Sequence, residues 1–314
     1  MEFKIPILKN TLFDLSNFNF SFLGINIYDI QSTEFEKFIK KLNPKFYGGN
    51  ISNFNDVINE IHFEKDRKYA IVKNNYKENY SEEEILSVFK LLKIIFPSGL
   101  CIAYIANFQE ENNFVQRTSM TIFENRYCLE NKYLTCDFEK LKTINKFIKI
   151  VFPNINKNFY LSLSIENYLN SFKASHLHFS YIALCISLEN LIDGRNELIY
   201  RLKRLIAVVC GDDVENCKSI FKNVDGIYDL RSKIVHGDKY SNEKIFEFYE
   251  YLQSIVSLTI IELLVHNIKD NVELNSKINT IGYGQRKFIS MNWKKFELNN
   301  KTKNDIKDKK LSIK

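Results

Sequence analysis

Proline is scarce, and none follows Pro153; the other three are Pro6, Pro44 and Pro97. The second half of the chain therefore carries no residue that forbids a continuous helix. Its glycines, including Gly194, Gly211, Gly226 and Gly237, are expected at helix junctions. Histidine is limited to five residues, of which His62 alone lies in the first half. Six cysteines (101, 128, 136, 185, 210, 217) include no close pair at zinc-ligand spacing; only Cys210 and Cys217 are near each other. They read as buried free thiols of a reducing compartment. Residues 1–155 contain no glycine-rich phosphate loop, no nucleophile elbow and no cluster of metal ligands. No window is expected to cross a bilayer. The opening stretch breaks its apolar residues with Lys9, Asn10 and Asp14, which a signal-peptide core would not do. A cytoplasmic protein without a membrane partner is expected.

What the chain has is length, apolar surface and a biased end. Its 314 residues suit two domains, and 45% hydrophobic with 14% aromatic residues allows a sizeable core. The enrichment in Asn, Lys, Ile, Phe and Tyr is a whole-chain property and points to no function. The net charge is +6, and residues 287–314 alone hold nine lysines against Glu297, Asp305 and Asp308. The basic excess thus belongs to the end of the chain, and the remainder is neutral. That end reads as a solubilising tail or as a non-specific phosphate-binding arm.

Three segments follow from pattern: a mixed α/β domain over 1–155, a helical bundle over 156–272 and a lysine-rich flexible tail over 273–314. In the first, residues 34–43 have helical apolar spacing and 68–73 is strand-like. Residues 81–96 form a helix with Ser81 and Glu84 in capping-box position and Pro97 as its stop. The apolar run 99–108 and residues 117–127 read as further strands, and 137–152 as a helix closed by Pro153. In the second, helices are expected over 158–172, 174–193, 197–209, 214–236 and from 242 to about 268, joined by short connections into an up-and-down bundle.

The candidate chemistry sits at Tyr228-Asp229-Leu230-Arg231-Ser232-Lys233-Ile234-Val235-His236-Gly237. It places a permanent cation and an imidazole five residues apart, a charge to hold phosphate and a group to move a proton. Five residues of ideal helix turn by roughly 140°, so the two converge only if His236 stands where the helix ends. Gly237 is the usual residue just past such an end. The alternative is a surface arginine beside a helix-terminal histidine. Arg201 and Arg204, three apart, read as a solvated face or as RNA contacts, with Lys233 a further candidate. His176 and His178, two apart on a helix, would point apart and so hold no shared metal. His266, deep in an apolar helix, reads as a core or interface residue.

This stretch, together with "ALCISLENLIDGRNELIYRLKRLIAVVCG" before it, resembles the HEPN superfamily and, within it, the ApeA-like group. Three linked places carry the resemblance: an apolar helix with Glu189-Asn190, a helix opening on Glu197 with Tyr200-Arg201, and arginine, four residues, histidine, glycine. It covers about residues 160 to 265. It implies a metal- and cofactor-independent endoribonuclease, working as a homodimer in which Arg231 and His236 line a cleft between two bundles. It implies also that Ser232 and Glu189 orient the pair, and that such a protein serves as a toxin or anti-phage effector with RNA as its partner. The first domain would then sense a phage-derived or host trigger. The competing readings are a HEPN-like scaffold that only dimerises, and an RNA-binding regulator acting through the tail.

Overall fold

The computed structural model describes residues 2–9, 11–42, 67–111, 114–122, 133–192 and 197–285, with Ile306 and Leu311. The chain is mostly helical, with a small antiparallel sheet near its N-terminus. It divides into two compact units. The front unit takes Met1–Lys90, Ser98–Asn125 and Leu129–Lys149; the helical unit takes Leu91–Pro97, Arg126–Cys128 and Ile150–Lys314. The division near 150 lies close to the expected boundary at 155, but Leu91–Pro97 belongs with the helical unit.

In the front unit, strands β1 (Glu2–Lys9), β2 (Ile25–Asp29), β3 (Tyr69–Lys73), β4 (Cys101–Glu111) and β5 (Phe114–Ile122) form a sheet of order β2-β3-β1-β4-β5. β1 and β2 were not among the expected strands, yet β1 is the central one. It pairs with β4 along its length, from Glu2 opposite Gln109 to Lys9 opposite Cys101. Pro6 argues against a central strand, since it cannot donate to a ladder. Its nitrogen shares a side with the Lys4 N–H, which donates to the Tyr80 hydroxyl at 2.7 Å, and β3 pairs with β1 only at Ile7 and Leu8. The proline therefore falls where no ladder bond is needed.

Helix α1 (Thr33–Leu42) covers one sheet face, burying Phe35 and Ile39 with Phe3, Ile5, Ile7 and Val72. Phe3 stacks on Phe108 with ring centroids 5.1 Å apart. Helix α2 (Glu82–Ile95) starts as its sequence predicts, with the Glu84 N–H donating to the Ser81 hydroxyl at 3.2 Å, and it ends before Pro97. Helix α3 (Leu141–Lys157) does not stop at Pro153; the proline lies inside it. The ring deprives the Lys149 carbonyl of its helical partner, and Lys149 is also the last residue of the front unit.

The helical unit is built on α4 (Phe159–Ser171), α5 (Leu177–Glu189), α6 (Leu198–Cys210), α7 (Val214–His236), α8 (Asn242–Val265) and α9 (Asn271–Thr280). α4 packs on α5 and α6 on α7, and α8 contacts all four. Contrary to the expectation from sequence, α8 is long and apolar enough to cross a membrane, but its residues are almost all buried within the protein, as in a core helix. Helix ends are closed by side chains from neighbours. The Ile94 carbonyl accepts from the Ser257 hydroxyl at 2.6 Å and the Lys93 carbonyl from Tyr168 at 3.1 Å. Beyond α8, the Ile268 carbonyl accepts from the Asn158 amide at 2.6 Å. These meet the carbonyls that a helix terminus leaves without partners.

Two further expectations change. Gly226 lies buried in the middle of α7, not at a junction; Gly194 lies outside the described residues. A tail starting at 273 would cut α9, which is a folded helix, and Leu311 is buried with its N–H on the Asn223 side chain at 3.1 Å. Most of 287–314 lies outside the described residues.

Candidate functional site

Helix α7 has both of its signals. The Asp213 side chain accepts from the Asn216 N–H at 2.8 Å at the start. At the end Gly237 takes φ 75°, and both its N–H and that of Asp238 return to the Lys233 carbonyl. Only glycine adopts that left-handed conformation without strain. His236 is the last helical residue and its side chain is exposed.

Arg231 lies a little over one turn earlier and faces α5. Its Nε is 3.2 Å from Glu189 Oε1, without the alignment of a hydrogen bond, and a terminal nitrogen donates to Oε2 at 3.4 Å. The side chains are 31% and 20% exposed, so the pair is partly shielded yet open to solvent on one side. Glu189 is the last residue of α5. A carboxylate is disfavoured at a helix C-terminus, and the guanidinium offsets that field.

Two tyrosines lock α5 to α7 beneath the pair. The Tyr181 hydroxyl donates to the Ile227 carbonyl at 2.9 Å, and the Tyr228 hydroxyl to the Cys185 carbonyl at 3.2 Å. Burial drives the Tyr181 and Tyr228 phenols and the Cys185 thiol far up from their ordinary pKa values. None of the three exchanges protons near neutral pH. They hold the helices at fixed spacing.

The expected site residues thus separate into four sets. Arg231 and Glu189 are in contact. Ser232 and His236 are exposed on other faces, and five helical residues carry a rise of about 7.5 Å with the 140° turn. Lys233 pairs with Asp229 at 2.7 Å along the helix. Arg201 and Arg204 are engaged with α9: Arg201 donates to Asn275 at 3.4 Å, and Arg204 to the carbonyls of Ile278 at 3.2 Å and Ile281 at 3.0 Å. Arg204 also lies over the Tyr283 ring at 5.8 Å. Its task here is to cap α9, a role that depends on a contact between distant parts of the chain.

The remaining histidines change little. His176 is the residue before α5, not part of it, so the two rings do not point apart: His176 stacks on His178 at 5.4 Å. Among the described residues no group of three His, Cys, Asp or Glu is placed to hold a metal ion. His266 has Nε2 3.7 Å from Oε2 of the buried Glu262. His62 lies outside the described residues. Cys101, Cys185, Cys210 and Cys217 are buried free thiols, and Cys136, half-buried, is pushed up to about 11 chiefly by burial.

No family model, curated protein or solved structure matches this chain.

Proposed function

We propose that the helical unit is a HEPN-type endoribonuclease that cleaves RNA by attack of the 2′-hydroxyl and assembles its site between two copies of the chain. The observation that carries the reading is Arg231, held half-open by Glu189, with an exposed histidine ending the same helix before an αL glycine. RNA supplies its own nucleophile. The protein need only position it, move protons and stabilise charge on the phosphoryl oxygens. A guanidinium is always charged, and its planar fork matches phosphate geometry. An imidazole transfers protons near neutral pH. Because the two groups leave one helix on different faces, a second copy supplies the missing half of the cleft. DNA, lacking the 2′-hydroxyl, is spared. In this reading the protein is a cytoplasmic toxin or anti-phage effector.

The Arg231–Glu189 contact also favours a second reading, in which the arginine is a structural partner and the unit only dimerises. The experiment that separates them is cleavage of a mixed RNA pool in EDTA by wild type, Arg231→Ala, His236→Ala and the double variant, with thermal melts. On the nuclease reading each single variant loses most activity while melting as wild type does, and the double variant is little worse than either. On the scaffold reading no variant differs in cleavage, and Arg231→Ala melts lower.

A further inference from the structure

A row of aromatic rings runs across α6, α7 and the turn after α9. Tyr200 stands in the first turn of α6 and is 55% exposed. It meets Phe221 of α7 edge to face, with ring centroids 6.0 Å apart. Phe221 meets Tyr283 in the same way at 6.3 Å. All three residues belong to the helical unit.

Cations are interleaved with the rings. Lys203 Nζ lies 4.4 Å from the Phe221 centroid and pairs with Asp225 at 2.7 Å. The Arg204 guanidinium lies over the Tyr283 ring, and its hydrogen bonds go to two neutral carbonyls, which leave its charge uncancelled. Lys222, exposed, adjoins Phe221 in the chain. Set against Asp225, the three cations leave a positive surplus.

The row is fixed before any ligand arrives. Gly284 takes φ 74° and abuts the start of α7, where a Cβ would come within 2.9 Å of the Val214 nitrogen. The Gly282 N–H donates to the Gln285 side chain at 3.2 Å, and Arg204 holds the Ile281 carbonyl. A ring held this way loses little freedom on binding. Rings that only cemented the turn to the helices would not need Tyr200, which is more open than covered.

Exposed aromatic faces beside cations suit a single strand of nucleic acid, whose bases stack on the rings while its phosphates meet the charges. A duplex hides its base faces and cannot use them. The row also lies on the way to the end of α7. Phe221 and His236 share that helix, and fifteen residues separate them by about 22 Å and roughly 60° around the axis. That span corresponds to about six nucleotides at about 3.4 Å each.

We propose that Tyr200, Phe221 and Tyr283 form a stacking platform for single-stranded RNA and lead the strand along α7 toward His236. The inference rests on the nuclease reading only for the strand's role as substrate; binding is measured without cleavage.

The test is fluorescence anisotropy of the full chain with a labelled 2′-O-methyl RNA of about twelve nucleotides, which has no free 2′-hydroxyl to attack the phosphate. Saturable binding is expected. Tyr200→Ala should weaken it roughly 5- to 100-fold, the range for one lost base–ring stack, while Tyr200→Phe keeps it. The duplex of the same sequence should bind more weakly and be indifferent to Tyr200→Ala. If Tyr200→Ala melts lower than wild type, Tyr200→Leu, which keeps bulk without a ring face, takes its place. Absence of saturable binding, equal affinity of wild type and variant, or an equal loss for the duplex would overturn the proposal. So would a dimer-to-monomer shift at unchanged RNA affinity, which would make the row a contact between copies. Tyr200-dependent binding without cleavage of unmodified RNA would uphold the platform and contradict the nuclease reading alone.

Discussion

The front unit and the helical unit gather opposite charges. The cleft beside β2 collects Asp14, Asp29 and Glu34 from a turn, a strand end and a helix start. The end of α7 presents Arg231 and His236 from one continuous helix, with one carboxylate opposing the arginine. The difference teaches that where two candidate groups share one helix, their spacing announces them. Where a cleft is assembled by topology from distant pieces, nothing local does.

The sharpest way to break this comparison is to remove one charged group from each unit in turn. Arg231→Ala should lower RNA cleavage about 10²–10³-fold, the usual loss when a charge aimed at a developing oxyanion is removed. Asp29→Asn should leave the cleavage rate as it was. Initial cleavage rates of both variants measure this. An Asp29→Asn variant that lost cleavage as Arg231→Ala does would mean that the two units do not divide the work.

The next effect sharpens the claim that α8 is a core helix despite its apolar length. Ile255 is fully buried there. Ile255→Ala should destabilise the purified protein by about 2–5 kcal/mol, read by urea denaturation. A membrane-spanning role would instead leave purified soluble protein unaffected.

Smaller still is the docking of α9. Removing the Arg204 guanidinium leaves the Ile278 and Ile281 carbonyls without their donors. Arg204→Ala should cost roughly 1–3 kcal/mol and raise hydrogen exchange across Asn271–Thr280 while exchange in α5 stays the same. If Arg204 served RNA instead of α9, exchange would not change and RNA affinity would fall.

Legibility followed the same division. Helix α7 was predicted over the residues it occupies; Gly237 marks its end in the sequence, and the structure adds the Asp213 cap at its start. Glu189 was expected to orient the pair, and the structure places it in contact with Arg231. β1 and β2 escaped because a strand is defined by partners: β1 finds Ala70 and Gln109, far along the chain, and Pro6 speaks against it locally. The run of α3 through Pro153 escaped because tertiary context outweighs one lost hydrogen bond. α9 escaped because its support comes from Arg201 and Arg204, on another helix.

The smallest effect is a pH dependence at α9. Lys277 and the Lys269 N–H hold the Glu273 carboxyl below its ordinary value. A depressed carboxyl stabilises the folded state above its unfolded pKa, and that contribution disappears as pH falls through the folded value. The α9 amides should therefore lose protection, relative to their intrinsic exchange rates, as pH falls below the ordinary glutamate range, and Glu273→Gln should abolish that step. An unaltered profile in Glu273→Gln would assign the loosening to another group.

The central claim is that His236 moves a proton in RNA cleavage, and one measurement addresses it directly: initial cleavage rates of an RNA and the DNA of the same sequence, in EDTA, by wild type and His236→Ala. The account predicts that wild type cuts RNA and spares DNA, and that His236→Ala cuts RNA about 10²–10⁴-fold more slowly with an unchanged melting temperature. Equal RNA cleavage by the two proteins, or none by wild type as a purified dimer, would contradict it.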